Sequence, residues 1–370
     1  MEKTKIAELL TINEAAEKMH VTRQTIYAWI NSGRILPVTI PGGRLRIPEE
    51  QLILATPQIN ERGNDRYFDI YDISEVTPHQ DEQMGTKFKF WFWLEDEHFL
   101  FKVGRENTGD NWAEKVASEL CELITLPHAE YELAVWGEAK GVVSPTFVPF
   151  GAKLTPGNEL LAKIIRKYEI KRRYKQRKHT LRLAMAIMEY EEIKLPIGWS
   201  SLDGINTAID VFIGYLMLDT WIANQDRHHE NWALVVVPED GTSSVHLAPS
   251  YDHASSFGSN EPDTKRESRL TTRDVGRSME KYVERARSAF YLTQNSSKPL
   301  STIDAFQKAA SKRPEAARLW LKQLEGISPS DTRSILGRIP KTEITEVAIE
   351  FTEKILELNR ERLLKLRISG

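Results

Sequence analysis

The stretch Ile205 to Ala223 is the most hydrophobic in the chain, and carboxylates interrupt it at Asp210 and Asp219. A run of that apolarity must be buried, and two acids within it fit a core helix rather than a membrane span. The residues after it, Asn224-Gln-Asp-Arg-His-His-Glu-Asn231, are all polar, and Trp232 to Val237 is apolar again. That second run reads as a buried strand. A polar loop thus lies between a buried helix, which packs beneath it, and a buried strand.

The loop carries a carboxylate, Asp226, and a carboxamide, Asn231, five residues apart. A second carboxylate, Asp252, follows the next short apolar run, at Ser250-Tyr-Asp-His253. Phosphoryl transfer to a hydroxyl needs a carboxylate to orient the hydroxyl and take its proton. It also needs hard oxygen ligands to hold Mg²⁺ against the phosphates of ATP. Asp226 suits the first task, and Asn231 with Asp252 suits the second. The interval from Asp226 to Asn231 matches that of the protein-kinase catalytic loop, with Asp252 at the place of the metal-binding aspartate. A metallohydrolase would instead use His228, His229 and Glu230, with His253. Adjacent histidines point apart on a strand or helix, however, and no His-x-x-x-His spacing is present.

Upstream, residues 83–150 read as a small strand-rich lobe with one helix. Lys87 to Leu94 alternates polar and apolar, and Glu97 to Gly104 follows a turn at Glu95-Asp96, so the two form a hairpin. Lys102 lies within this otherwise apolar strand and is a candidate phosphate contact. Gly85, Thr86 and Lys87 precede the first strand, where backbone N–H groups can approach a phosphate. Trp112 to Ile124 has helical spacing, and Glu114 or Glu119 is placed to pair with Lys102, with Glu114 preferred. Two further strands are expected near Glu130–Trp136 and Gly141–Ser144. Residues 151–370 read as predominantly helical. They include a basic run, Lys171-Arg-Arg-Tyr-Lys-Gln-Arg-Lys178, expected as a solvated helical face or a mobile loop, or as a landing site for an acidic substrate or RNA. The polar stretch Ser255 to Ser268 is expected to be a mobile substrate or regulatory loop.

The first 55 residues form a separate unit. Thr11 and Glu14 make a capping box, and a break at Met19-His20-Val21 leads to a second helix that Gly33 stops. Thr22, Arg23, Gln24 and Tyr27 then lie at the start of a recognition helix. Val38 to Pro48 reads as a hairpin with its tip at Gly42-Gly43, and Arg44 and Arg46 share its solvent face. Residues 56–82 are rich in turn formers and read as a linker, with a strand near Tyr67–Tyr71.

These segments resemble two known families. Residues 8–55 are similar to excisionase and MerR-like winged helix-turn-helix domains, in which helix and wing contact DNA. From about Gly85 onward, Phe101-Lys-Val, Trp112-Ala-Glu-Lys-Val-Ala, Asn224 to Trp232 and Ala248 to Gly258 together resemble HipA-like serine/threonine kinases, including the CtkA branch. The resemblance implies an α+β, bilobal kinase-like fold with a small β-rich and a large helical lobe. It implies ATP and Mg²⁺ as cofactors and protein Ser/Thr as substrate, the chain itself included. Asp226 would be the base, Asn231 and Asp252 the metal ligands, and Lys102, with Glu114, a phosphate contact. Gly85, Thr86, Lys87 and His228 would line the nucleotide. Some relatives act as toxins in toxin–antitoxin modules, so a fused DNA-binding unit suggests self-regulation.

Two other readings stay open: a nucleotide-sensing regulator with an inactive kinase-like body, and a lipid or small-molecule kinase. The Asp-Arg-His-x-x-Asn motif is also similar to that of phosphatidylinositol kinases. A net charge of −3 gives no global attraction to nucleic acid or acidic membranes, so such partners need a local patch. The single cysteine, Cys121, excludes an intramolecular disulfide, and no apolar region follows Met-Glu-Lys-Thr-Lys, so a cytoplasmic protein is expected. Winged helix-turn-helix units often bind DNA in pairs, which suggests a homodimer.

Overall fold

A computed structural model describes residues 9–19, 26, 30, 35–40, 44–49, 51–52, 67–81, 88–94 and 97–368. It comprises two compact units, Met1–Asp69 and Ile70–Gly370.

In the first unit, Thr11 starts helix α1 (Ile12–Met19). Its backbone N–H donates to Glu14 Oε2 at 2.7 Å, and the Glu14 N–H donates to Thr11 Oγ1 at 3.1 Å. This is the expected capping box. Strands β1 (Leu9–Leu10), β2 (Val38–Ile40) and β3 (Arg44–Pro48) form an antiparallel sheet in the order β1-β3-β2. In the hairpin, Ile47 is buried and joins Ile12, Ala15, Ala16, Ile26, Ile35 and Leu52 in one core. Arg46 is half-buried. Thr22, Arg23, Gln24, Tyr27 and the Gly42-Gly43 tip lie outside the described residues, as does the side chain of Arg44.

The second unit contains two sheets. Strands β4 (Ile70–Asp72), β5 (Gln80–Asp81), β6 (Lys89–Leu94), β7 (Glu97–Val103), β8 (Glu132–Trp136) and β9 (Ala139–Pro145) form a six-stranded sheet in the order β4-β8-β9-β7-β6-β5. All its pairs are antiparallel except β4 with β8. Two of these strands fall within residues 56–82, so that stretch is more than a linker. Period-2 alternation puts Phe90, Phe92, Phe99 and Phe101 into one core, together with Ile73 and Val143. Lys102 lies beside Val142 in the ladder, and Val142 and Leu133 pack onto Ala233, Val235 and Tyr251. The lysine therefore occupies the face that meets the second sheet. Gly141 permits the close strand pairing here, because a Cβ on it would lie 2.5 Å from the Lys102 carbonyl oxygen.

The second sheet has the order β10-β12-β13-β11, from β10 (Lys153–Pro156), β11 (Ile193–Lys194), β12 (Ala233–Glu239) and β13 (Thr242–Leu247). It lies in a region that the sequence suggests is predominantly helical: short strands with few residues give little periodic signal beside long helices. The helices here are α2 (Asp110–Leu123), α3 (Gly157–Ile164), α4 (Leu181–Met188), α5 (Ala208–Trp221) and α6 (Asp263–Thr271), with five more between Met279 and Leu364. Every residue of α5 is buried. Thr207 and Asp210 close a capping box at its start, and Arg313 donates to Asp210 Oδ1 through Nη2 at 2.7 Å and Nε at 3.0 Å. Asp210 is thereby accommodated in the core.

One expectation is corrected. The stretch Ser255–Ser268 is not a loose loop: it contains part of α6, and buried Arg266 donates to the carbonyls of Gly258 and Ser259 at 3.0 Å each. The basic run 171–178 lies beyond α3 in irregular backbone, the loop of the two alternatives expected for it. No helix among the described residues is long and apolar enough to cross a membrane.

Candidate active site

The polar loop that follows α5 is fixed from beneath by one ion pair. Asp219, in the last turn of α5, is buried, and so is Arg227. Arg227 donates Nε to Asp219 Oδ2 at 2.9 Å and Nη2 to Asp219 Oδ1 at 2.7 Å. The same guanidinium donates Nη1 to the Asn231 carbonyl and Nη2 to Ser250 Oγ, each at 2.9 Å. Asn224 Nδ2 also donates to Asp219 Oδ1, at 2.8 Å. The helix end, both ends of the loop and the segment before Asp252 are therefore tied to one fork of donors. Ala223, which turns the chain out of α5, has a φ of +53°, an uncommon conformation for alanine.

Within this frame Asp226 and Asn231 are coupled directly. Asn231 Nδ2 donates to the Asp226 carbonyl at 2.8 Å, which leaves Oδ1 as the outward end of that amide. His228 Nδ1 accepts from the Glu230 N–H at 3.1 Å, so its proton is on Nε2, 3.9 Å from Asp226 Oδ1. Burial raises the Asp226 carboxyl above the ordinary aspartate range, His228 opposes that shift, and Asp252 adds to it. Asp252 thus lies close enough to Asp226 for their charges to interact.

Lys102 reaches the same place from the other sheet. Its ammonium is buried and bonds Glu114 Oε1 at 2.5 Å and Asp252 Oδ1. Burial alone would depress this lysine, but the Asp252 and Glu114 carboxylates hold it well above its ordinary range. Glu114, on α2, uses Oε2 to accept the His253 N–H at 2.7 Å. One carboxylate therefore links the lysine strand to the Asp252 segment. Of the two candidate glutamates, Glu119 is instead paired with Lys115 at 2.6 Å. Asp252 adopts φ +60°, and its N–H donates to the Tyr131 hydroxyl at 3.3 Å. A left-handed aspartate is a local strain that the surrounding contacts must hold in place.

The alternative histidine site is not assembled. His229 Nδ1 meets the Tyr168 hydroxyl at 2.6 Å, and His253 Nε2 meets Ser250 Oγ at 2.7 Å. His229 is pushed down to about 4, chiefly by burial. Among the described residues no group of three His, Cys, Asp or Glu is placed to hold a metal. Asp252 and Asn231 supply a different donor set, a carboxylate and an amide oxygen, which suits a hard cation that shares its coordination with phosphates. Gly85, Thr86 and Lys87 lie outside the described residues.

Three participants carry no motif signal. Tyr131 backs Asp252, Asp219 anchors Arg227, and the Tyr174 ring stands edge-on to His228, near enough to Asp226 for the two to influence each other. Asp219 was detectable in principle, because an acid in an apolar helix requires a buried cationic partner, and Arg227 lies eight residues on.

Residues 9–53 match the family model described as a helix-turn-helix domain. No curated protein matches the chain. Among solved structures it is similar to CtkA, a proinflammatory kinase of Helicobacter pylori, at 16% identity and a TM-score of 0.60, covering 81% of this chain and 100% of that one. It is also similar to a Shewanella oneidensis toxin–antitoxin complex of HipA, HipB and operator DNA, at 10% identity and a TM-score of 0.45, covering 96% and 84%. A third likeness is to hydra Fam20 solved with sugar, at 14% identity and a TM-score of 0.37, covering 79% and 87%. The likeness to CtkA establishes that Ile70–Gly370 belongs to a mixed α+β, kinase-like fold that follows a helix-turn-helix domain.

Proposed function

We propose that this chain is an ATP- and Mg²⁺-dependent serine/threonine protein kinase of the HipA-like type, with a fused operator-binding unit that regulates its own expression in a toxin–antitoxin or defence setting. The observation that carries the enzymatic part is the convergence of Lys102, Glu114 and Asp252, groups 12 and 150 residues apart in the chain, beside Asp226 and Asn231.

When bound, ATP with Mg²⁺ supplies the phosphoryl group and offsets its charge. Asp252 and Asn231 Oδ1 are the residues that would hold the metal. Lys102 would supply positive charge to the phosphates, with Glu114 keeping its ammonium in position. Asp226 accepts the proton of the acceptor hydroxyl. His228 Nε2–H faces that carboxylate and favours its ionised form. The frame beneath, Asp219 with Arg227, keeps the base from shifting.

DNA binding is inferred for residues 1–55 from the helix-turn-helix match, with Arg44 and Arg46 on the hairpin and Thr22, Arg23, Gln24 and Tyr27 on the preceding helix as the contact set. Phosphosite mass spectrometry after incubation with ATP and a cell extract tests the kinase reading. Phosphoserine or phosphothreonine on protein supports it, and ATP binding without transfer favours a nucleotide sensor. A mobility-shift assay with the chain's own promoter tests the other half.

A further inference from the structure

Phosphoryl transfer explains the residues around Asp226 but not the segment that covers them. Six of the eight residues 171–178 are Lys or Arg, in a chain whose net charge is −3. The backbone there is irregular but pinned. Tyr168 meets His229 Nδ1 at 2.6 Å, Arg173 pairs with Glu230 at 2.7 Å, and Lys178 Nζ donates to the carbonyls of Arg166 and Lys167 at 3.1 and 2.8 Å. Two of these contacts fall on the catalytic loop itself, so the basic run is anchored at the site rather than attached at a distance. Between the anchors Tyr174 is exposed, its ring set edge-on to His228 with centroids 6.1 Å apart, in the neighbourhood where the Asp226 charge acts on it. That is the position an acceptor hydroxyl must take to lose its proton to Asp226.

The cations around it are unequal. Arg173 and Lys178 are committed to the anchors, and Arg172 pairs with Glu169 at 2.9 Å. Lys171, Lys175 and Arg177 are exposed and make no ion pair with any described residue. Arg105, half-exposed, lies 3.9 Å from Asp110 and adds positive charge to the surroundings of Asp226 and Tyr174. A solvated cationic rim around a hydroxyl-binding position attracts anionic chains and repels basic ones.

We propose that residues 168–178 are the acceptor-recognition strap: Tyr174 holds the place of the acceptor hydroxyl until it is displaced, and Lys171, Lys175 and Arg177 select protein segments whose phosphorylated hydroxyl is flanked by Asp and Glu. The proposal rests on the kinase reading and adds the substrate class to it. Tyr174 is a positioning residue here, and its removal should change access rather than the chemical step.

The test uses the full chain and two synthetic peptides with one central serine, flanked by Glu in one and by Gln in the other. The wild type should show a KM for the Glu peptide about tenfold lower, as a few surface ion pairs would give, and the difference should shrink as salt is raised. The triple charge reversal K171E/K175E/R177E should abolish or invert the ratio of the two KM values. Tyr174→Phe and Tyr174→Ala should each lower KM for both peptides by a similar factor. Equal KM values in the wild type, or a ratio that charge reversal leaves intact, would overturn the inference while leaving the kinase reading in place. A fluorescent single-stranded RNA that binds more tightly than the Glu peptide at the same salt, and loses that binding in the triple variant, would also overturn it. If no phosphate is transferred to either peptide and no ATP is hydrolysed, the kinase reading fails, and the inference fails with it.

Discussion

Asp226 acts as a base only when ionised, and burial raises its pKa, so kcat/KM should fall as pH drops through a limb above the ordinary aspartate range of about 3.9. His228 counters that rise. Replacing it by alanine should therefore move the limb to still higher pH, which a pH–rate profile of both proteins would reveal. A limb that stays put or moves down would show that His228 does not act on the base. For Lys102, Met retains the length of the side chain and removes the charge. Lys102→Met should lower kcat/KM by roughly 10²–10³-fold, the scale of losing one fixed donor to developing charge, and steady-state phosphorylation assays would measure it. At this scale much was legible: the Asp226–Asn231 interval, Asp252 and Lys102 were all found from spacing and from polarity out of place. Tyr174 was not, because an exposed tyrosine in a basic run has no period or motif, and its meaning depends on a loop that folds back over residues more than fifty positions away.

Helix α5 and the loop after it set the geometry of the site through the Asp219–Arg227 pair. Asp219→Ala leaves a buried guanidinium without its main partner and should destabilise the fold by about 3–5 kcal/mol, read from chemical denaturation. Asp219→Asn keeps one acceptor for Arg227 and should lose less. Helix α2 has a different function, because Glu114 bridges Lys102 and the His253 backbone. The sequence narrowed this residue to two glutamates on one helix, with Glu114 preferred, but periodicity does not decide between them. The choice is tertiary: Lys115 draws Glu119 toward Glu132, and Glu114 is left facing Lys102. The second sheet was only partly foreseen for a similar reason. Its β12 was legible as an apolar run, whereas β10 and two-residue β11 acquire their identity only from the strands they join.

For the whole molecule, the boundary between units lies at Asp69–Ile70, before β4, which overlaps the strand expected near Tyr67–Tyr71, and β5, which the polar composition of residues 56–82 concealed. Deleting residues 1–69 should abolish promoter binding and leave ATP turnover within about twofold, whereas deleting residues 1–82 removes β4, β5 and the buried Ile73. The longer deletion should cost roughly 2–5 kcal/mol more, from the lost core side chain alone, and thermal melts of the two truncations would separate the cases. The central claim is that Asp226 and Asp252 serve one phosphoryl-transfer site. Its most direct test is incubation of the wild type, Asp226→Ala and Asp252→Ala with γ-labelled ATP and Mg²⁺ in a cell extract. The account requires label on protein Ser or Thr with the wild type and a loss of roughly 10²-fold or more in both variants. Equal labelling by all three proteins, or none by the wild type despite bound ATP, would contradict it.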